Sequence, residues 1–510
     1  MKLSQLTILI LFSLLIRMLL AAFLEFGNDE VYYYTYALHL QTNYFDHPPG
    51  VALLIRFTTL NLWLQDEFFV RLGSIICATI GTILSYRIGS LIRNKRTGLY
   101  SAILYNTSIY TSIIAGVFIL PDSPQVVFWL WSLLLGLHLV KCSQSQRPVP
   151  LRLWIFFGLI TGLCMLCKVH GVFLWLGLGI YVVFFQRKWL TQPGIYLAGI
   201  VSLLVFSPVI FWNIANNFVT WNFHSNRINP DKNLINIASF LRAFFGQIFY
   251  NNPVNVFLII VALFYYKNKS FLHKDTGRFL LCTGLPIILI TTLISLFNNV
   301  LPHWSGPGFL TLSFIATAYL GSIGKSFKKV YPVVLKISVT FILLIGLLGL
   351  SIINFYPGTM GNTEIKDHGK NDFTLDMWGW QEFEKQFSTY IEQDDRLHKG
   401  PSLKIVCNKW FPAAHIDYYV ARPLNAEVIG LGSLKNLHHF AWLNKFRSEI
   451  KNGGNAICIV PSNYPEDVEA EYKDQFASIK LLKVFCLERS GKPAKYVSVY
   501  SLEDYLGDKQ

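Results

Sequence analysis

Carboxylates are scarce in the first two thirds of this chain, and their placement is the first chemical signal. Residues 1–354 hold nine Asp and Glu against 25 Lys and Arg. Six of the nine, Glu25, Asp29, Glu30, Asp46, Asp66 and Glu67, come before residue 68. An acid among apolar runs is costly unless it is paired, hydrated or used. A solvated loop accounts for Glu25, Asp66 and Glu67. It accounts less well for Asn28-Asp29-Glu30 directly after an apolar run, and for Phe45-Asp46-His47-Pro48-Pro49 a short segment later. Adjacent carboxylates at a membrane boundary suit general-base work, because desolvation and mutual repulsion raise proton affinity. Pro48 and Pro49 impose an extended turn that would aim Asp46 and His47. Val31–Leu40 between the two motifs carries Tyr32, Tyr33, Tyr34 and Tyr36. Helical spacing puts Tyr32 and Tyr36 on one face, and the segment reads as a helix lying at the membrane surface with its tyrosines as anchors.

The elements that must position these residues follow from composition. Of 510 residues, 53% are hydrophobic and 15% charged, against roughly 25% charged in an average soluble protein. Apolar segments fall near 6–24, 68–90, 97–115, 123–141, 151–167, 171–186, 194–213, 254–266, 279–297, 303–322 and 333–354, giving about eleven transmembrane helices. With the N-terminus inside, the inside loops hold 17 basic residues and the outside loops five. That is the positive-inside bias, and it excludes the single basic face of a nucleic-acid binder. Residues 355–510 are nearly balanced in charge, with 19 Lys and Arg against 21 Asp and Glu. Short apolar runs at 403–407, 426–429, 456–460, 479–485 and 496–500 read as strands, and 436–451 and 466–477 as helices. The chain is therefore expected to be an α-helical multi-pass membrane domain, 1–354, followed by a small extracytoplasmic α/β domain, 355–510.

Smaller features read structurally. Cys164 and Cys167 sit in an apolar run without nearby His or Asp and belong to a core or lipid face. Gly158 and Gly162 suggest close helix contact. Asn251 and Asn252 before Pro253 suit a helix cap. The sequon at Asn106 falls within an expected span. Gly430-Leu431-Gly432 lacks the third glycine of a nucleotide loop and reads as a turn.

Asp29-Glu30-Val31-Tyr32-Tyr33 followed by Tyr44-Phe45-Asp46-His47-Pro48-Pro49 resembles the opening of the polyprenyl-phosphate-sugar-dependent GT-C glycosyltransferases. That family includes the protein O-mannosyltransferases and the lipid A aminoarabinose transferases. The resemblance runs on through Pro121-Asp122-Ser123-Pro124, Lys168-Val169-His170-Gly171, Trp221–Arg227, Gly246–Asn252 and Pro302–Pro307, in order, over nearly all of 1–330. It implies Asp29 as the general base that takes the acceptor hydroxyl proton, with Glu30 orienting loops or the acceptor. The leaving polyprenyl phosphate is a stable anion that needs positive charge or N–H donors. Lys168 and Arg227 stand in matching motifs for that role, although snorkelling at a helix end would equally explain Lys168. His224, three residues before Arg227, shares its face if the stretch is helical. Asp122, Asp46 and His47 complete the expected substrate-binding set; His47 stands where the aminoarabinose transferases have Lys. In those relatives a carboxylate before the Pro-Pro turn and a loop histidine resemble Asp46 and His224, which makes a divalent metal on Asp46 and His224 the candidate cofactor. Two protein ligands are fewer than a closed site uses, and the residues themselves favour a structural hydrogen bond for His224. His303 and Trp304 suit an interfacial place, with sugar stacking open to Trp304.

The expected activity is inverting transfer of a sugar from a polyprenyl-phosphate donor to a hydroxyl of a lipid, glycan or protein on the non-cytoplasmic face of the cell (inner) membrane. The expected partners are that donor, its acceptor and the bilayer, with no nucleic acid. A multi-pass transporter or flippase of lipid-linked substrates is the alternative. It would place its polar site near the midplane, often between internal repeats, whereas these motifs sit at span ends and no repeat is visible. The topology is testable: cysteines replacing Asp66 and Gly453 should both react with an impermeant thiol reagent added from outside. Labelling of only one would make the span count wrong by an odd number.

Overall fold

The computed structural model describes residues 4–145, 148–228, 235–323, 332–393 and 403–507, with the side chains of 226–228 outside that description. Lys2, Arg147, Asp231, Lys232, Lys325, Lys328 and Lys329, which enter the charge reading above, lie outside the described residues. By packing the chain forms two compact units. The first comprises Met1–Ala21 and Leu40–Gly346, the second Ala22–His39 and Leu347–Gln510. The sequence division at residue 354 leaves residues 22–39 with the apolar helices; by packing they join the C-terminal unit.

Among the described residues the regular elements of the first unit are helices, and each of the eleven expected segments holds one. Among the described residues seven helices are long and apolar enough to cross a membrane: Gln5–Phe23, Glu67–Ile92, Asp122–Gln144, Pro193–Ala215, Lys274–Ile294, Pro302–Ile323 and Val333–Phe355. The last runs into the second unit. Lys95–Thr107, Leu151–Cys167, Val172–Phe185 and Pro253–Tyr266 are shorter. Ile237–Tyr250 and Pro253–Tyr266 meet at 93° as one bent pair. The bend sits at Asn252, whose φ of 64° is tolerated by Asn and whose side chain caps Val254 N–H. Lipid offers no hydrophobic drive between helices, so close approach depends on small residues. Gly158 lies against the Ala198 backbone, where a Cβ would come within 2.2 Å of the carbonyl oxygen, and Gly162 faces Ser202 and Val205. Cys164 and Cys167 are buried in this core, as is Asn106. Asn106 accepts a hydrogen bond of 2.9 Å from the buried Arg17 guanidinium.

The second unit is built on a five-stranded sheet, among the described residues, of order β2-β1-β3-β5-β4. Its strands are β1 Lys404–Cys407, β2 Glu427–Gly430, β3 Ala456–Pro461, β4 Phe476–Arg489 and β5 Lys492–Tyr505. β1 pairs in parallel with β2 and β3, and β5 runs antiparallel to β3 and β4. The continuous apolar run of β3, buried at all six positions, suits a strand covered on both faces. Ser490 and Gly491, at φ 51° and 75°, supply the paired positive φ of a tight hairpin turn between Arg489 and Lys492. The five expected strands are all present, though β4 and β5 are longer than their apolar runs. Of the expected helices, 436–451 breaks into the short turns Leu434–Leu437, Phe440–Leu443 and Asn444–Phe446, because His438 takes φ 51°. Only Val468–Tyr472 of 466–477 is helical, since Phe476 already opens β4.

Asn28–Leu38 is a helix, as its spacing predicts, with Tyr32 and Tyr36 rings 5.2 Å apart. It is not a membrane-surface anchor. Tyr32, Tyr33, Tyr34 and Tyr36 are all buried, packed within the second unit. Tyr32 meets Trp410 at 4.8 Å, Tyr34 meets Tyr418 at 4.9 Å, and Tyr36 meets His439 at 4.7 Å between ring centroids. Aromatic edges and hydroxyls find partners in a protein core as readily as at a bilayer surface, and composition alone does not separate the two.

The glycine contact gives a direct test. Gly158→Leu pushes a side chain into backbone that cannot yield, and overpacking of this kind costs typically 1–3 kcal/mol. Thermal unfolding in detergent should shift down for Gly158→Leu, whereas Gly179→Leu, where a Cβ would meet nothing within 4 Å, should stay near the parent.

Candidate functional site

In the helical unit the expected residues gather at helix ends. Asp122 opens the Asp122–Gln144 helix and Lys168 terminates Leu151–Cys167. Each charge thus complements its own helix dipole. Lys168 Nζ donates to Asp122 Oδ2 at 2.7 Å, and both side chains are almost fully buried. Tyr110 Oη donates to the other carboxylate oxygen at 3.1 Å. Both oxygens of Asp122 therefore have donors inside the protein. The Lys168 ammonium has three N–H donors, and one of them is given to Asp122. His170 and His303 lie within electrostatic reach of this pair, and the rings of His170 and Trp304 meet edge to face at 5.3 Å.

The Asp46 turn packs beside the Val219–Ile228 helix, which carries His224 and Arg227. His224 Nε2 bonds the Asp46 backbone carbonyl at 2.7 Å. A carbonyl can only accept, so Nε2 carries the proton and the ring's lone pair is on Nδ1. The structural hydrogen bond that the residues favour is thus observed, and it joins His224 to the Asp46 main chain rather than to its carboxylate. Among the described residues no group of three His, Cys, Asp or Glu is arranged to hold a metal. Asp46 is buried, and the rings of His47 and His224 are 6.0 Å apart. The side chain of Arg227 lies outside the described residues.

Asp29 and Glu30 belong to the second unit. They occupy the first turn of Asn28–Leu38, whose N-terminus favours negative charge. Glu30 is buried and reaches back to accept the Gly27 N–H at 3.0 Å, half of a capping box. Asp29 is exposed. The segment is fixed on both sides. Glu25 accepts from the Trp380 and Gln381 N–H groups at 2.8 and 3.1 Å. Phe26 N–H donates to Tyr419 Oη at 2.7 Å, and the Phe26 carbonyl bonds His415 Nε2 at 3.0 Å. Asn28 donates to Asp376 at 3.0 Å. Burial pushes the His415 imidazole down to about 3, so it is neutral and donates to Phe26 as N–H.

Sequence reasoning passed over Tyr110 and His170 as functional candidates. Tyr110 lies in a generally apolar run, and the contact that ties it to Asp122 is a fold property. His170 was visible inside the Lys168-Val169-His170-Gly171 motif, two residues beyond the cation it adjoins.

The family model of dolichyl-phosphate-mannose-protein mannosyltransferases matches residues 46–212, a range that contains Asp46, His47, Asp122 and Lys168 but not Asp29. A lipid A galacturonosyltransferase, RgtD of Rhizobium johnstonii, is 22% identical over 57% of this chain and 60% of its own length. The chain thus matches less than two thirds of that relative. The crystal structure of ArnT from Cupriavidus metallidurans bound to undecaprenyl phosphate superposes with a TM-score of 0.60 at 12% identity, covering 96% of this chain and 97% of that one. Its apo form gives the same TM-score at 13% identity and the same coverage. These two establish the fold.

The buried pair can be tested apart from any activity. Asp122→Ala leaves an uncompensated buried ammonium, and breaking such a pair typically costs 3–5 kcal/mol. Thermal unfolding in detergent should show a large loss for Asp122→Ala and substantial recovery in Asp122→Leu combined with Lys168→Met.

Proposed function

We propose that this chain is a GT-C glycosyltransferase that moves a sugar from a polyprenyl-phosphate donor to a hydroxyl acceptor on the non-cytoplasmic side of the cell membrane, with inversion at the anomeric carbon. The observation that carries the reading is the gathering of cationic and N–H-bearing groups at helix ends of the membrane unit. Lys168, His170 and His303 adjoin one another, and Arg227 shares its helix with His224. Such a set suits a phosphate whose negative charge grows as the bond to the sugar breaks. Lys168 keeps two N–H donors beyond Asp122, so its pairing does not consume its capacity to hold an anion.

In the proposed reaction the acceptor oxygen bonds to the anomeric carbon while the bond from that carbon to the phosphate oxygen breaks. The electron pair leaves with the polyprenyl phosphate, which needs no protonation. The acceptor proton passes to the carboxylate of Asp29. Three features support Asp29 as that base: its exposure, its place in the first turn of a helix held rigidly by buried aromatics, and the commitment of neighbouring Glu30 to capping. Asp122, with a donor on each oxygen, is poorly placed to compete. Asp46 and His224 form a structural link in this reading, and no divalent metal is assigned to them.

Purified protein supplied with a panel of polyprenyl-phosphate sugars and hydroxyl acceptors should release polyprenyl phosphate. A positioned base contributes typically 10²–10⁴-fold, so Asp29→Asn should reduce turnover by about that factor with donor binding preserved. Arg227→Ala should instead weaken donor binding. Full activity in Asp29→Asn would remove the assigned base, and release of no polyprenyl phosphate from any donor would favour a transporter.

A further inference from the structure

The second unit contains a pocket of about 390 Å³ that the reading above does not use, within the usual span of small-molecule sites, about 300–1,000 Å³. Its lining includes Asp376, Asn463, Tyr464, Phe411 and Phe373. Asn463 is 5% exposed, and neither its amide nitrogen nor its amide oxygen has a hydrogen-bond partner. A buried carboxamide left unsatisfied on both sides is rare and calls for an occupant. Tyr464 Oη donates to Asp376 Oδ1 at 2.8 Å, and Asn28 donates to Oδ2 at 3.0 Å. A carboxylate has about four lone-pair sites, so Asp376 can accept further donors. Burial raises its proton affinity, with a pKa of about 6.

The charges around this pocket are largely answered. Asp372 is paired with Arg489 at 3.2 Å and Glu466 with Lys409 at 2.7 Å. The pocket therefore offers neither the uncompensated positive charge an anion needs nor a ring of open carboxylates for a metal. It offers a carboxamide, a carboxylate and a phenol beside aromatic rings. Phe411 packs edge to face on Tyr464 at 4.4 Å, and Phe373 is 74% exposed. Hydroxyls that both donate and accept, around a ring with an apolar C–H face, match that combination.

We infer that this pocket is a saccharide subsite, in which Asp376, Asn463 and Tyr464 take ring hydroxyls and Phe373 covers the apolar face. Because Asn28 hydrogen-bonds Asp376 and is followed by Asp29, the sugar bound there belongs to a glycan acceptor. The assignment to an acceptor rests on the transfer reading above; saccharide binding by the pocket does not.

Full-length protein in a sugar-free detergent should be examined by saturation-transfer NMR with methyl glucopyranoside, methyl galactopyranoside and maltose as probes. Saturation transfer to ring protons of at least one probe is expected. Asn463→Ala should weaken that binding roughly tenfold, the scale of one lost well-placed hydrogen bond. Phe373→Ala, at an exposed position whose loss does not threaten folding, should weaken it by several-fold. No transfer to any probe, or transfer unchanged in both variants, overturns the subsite. Binding without sugar transfer to any acceptor would sink the transfer reading and leave the subsite standing; transfer without binding would do the reverse.

Discussion

A charge placed among apolar side chains persists only if an opposite charge and hydrogen bonds meet it there. Each unit of this protein holds a buried pair where that condition is satisfied. In the helical unit Asp122 receives Lys168 on one oxygen and Tyr110 on the other. The Tyr110 segment, the start of the helix 12 residues on, and the end of a helix 46 residues beyond Asp122 are thereby pinned together. In the second unit Arg489, fully buried, spends its guanidinium on Asp372, Thr374 and the carbonyls of Ile353 and Gly358. The exit of the last apolar helix is thus tied to the end of β4. Removing one member of either set would leave the rest unsatisfied where water cannot compensate, so the geometry around each is close to all-or-none.

Around the first of these pairs the polar groups sit where helices stop. Helix ends carry unsatisfied backbone groups and partial charge, which makes them favourable places for ionised side chains and phosphates in an otherwise apolar body. The candidate base is positioned by different means. Asn28–Leu38 has polar fixings at its start, where Asn28 donates to Asp376, and at Tyr32, whose hydroxyl accepts the His439 N–H. Its aromatic packing comes from Tyr32, Tyr34 and Tyr36 against Trp410, Tyr418, His438 and His439, with Tyr33 packed on Tyr32 and Tyr36. A catalytic carboxylate gains most when its support is locked by packing, and aromatic rings with two rotatable bonds lock well at modest entropic loss.

Much of this was legible in the chain. Long apolar runs become helices with little ambiguity, because a bilayer accepts few other conformations. Alternating or short apolar runs located all five strands. The ordered motifs located Asp122 and Lys168, but only the fold showed that they meet each other. What stayed hidden has a common physical origin. Burial of Tyr32 through Tyr36 depends on partners hundreds of residues away, and the same tyrosines would serve equally at a lipid surface. The break at His438 is a single backbone torsion that apolar periodicity does not register. Asp372 and Arg489 look like ordinary loop and strand-end charges until both are found fully buried.

One arrangement bears on the order of events during synthesis. The helix that carries Asp29 emerges early, yet every aromatic partner described for it lies beyond residue 409. At translation rates of roughly 5–20 residues per second, that helix waits tens of seconds with its tyrosine faces uncovered while the intervening spans are inserted. Its contacts are among the least local in the chain, and such contacts form late. The candidate base therefore acquires its final setting only after the C-terminal sheet has been made, so an incomplete chain would hold the membrane helices without a positioned carboxylate.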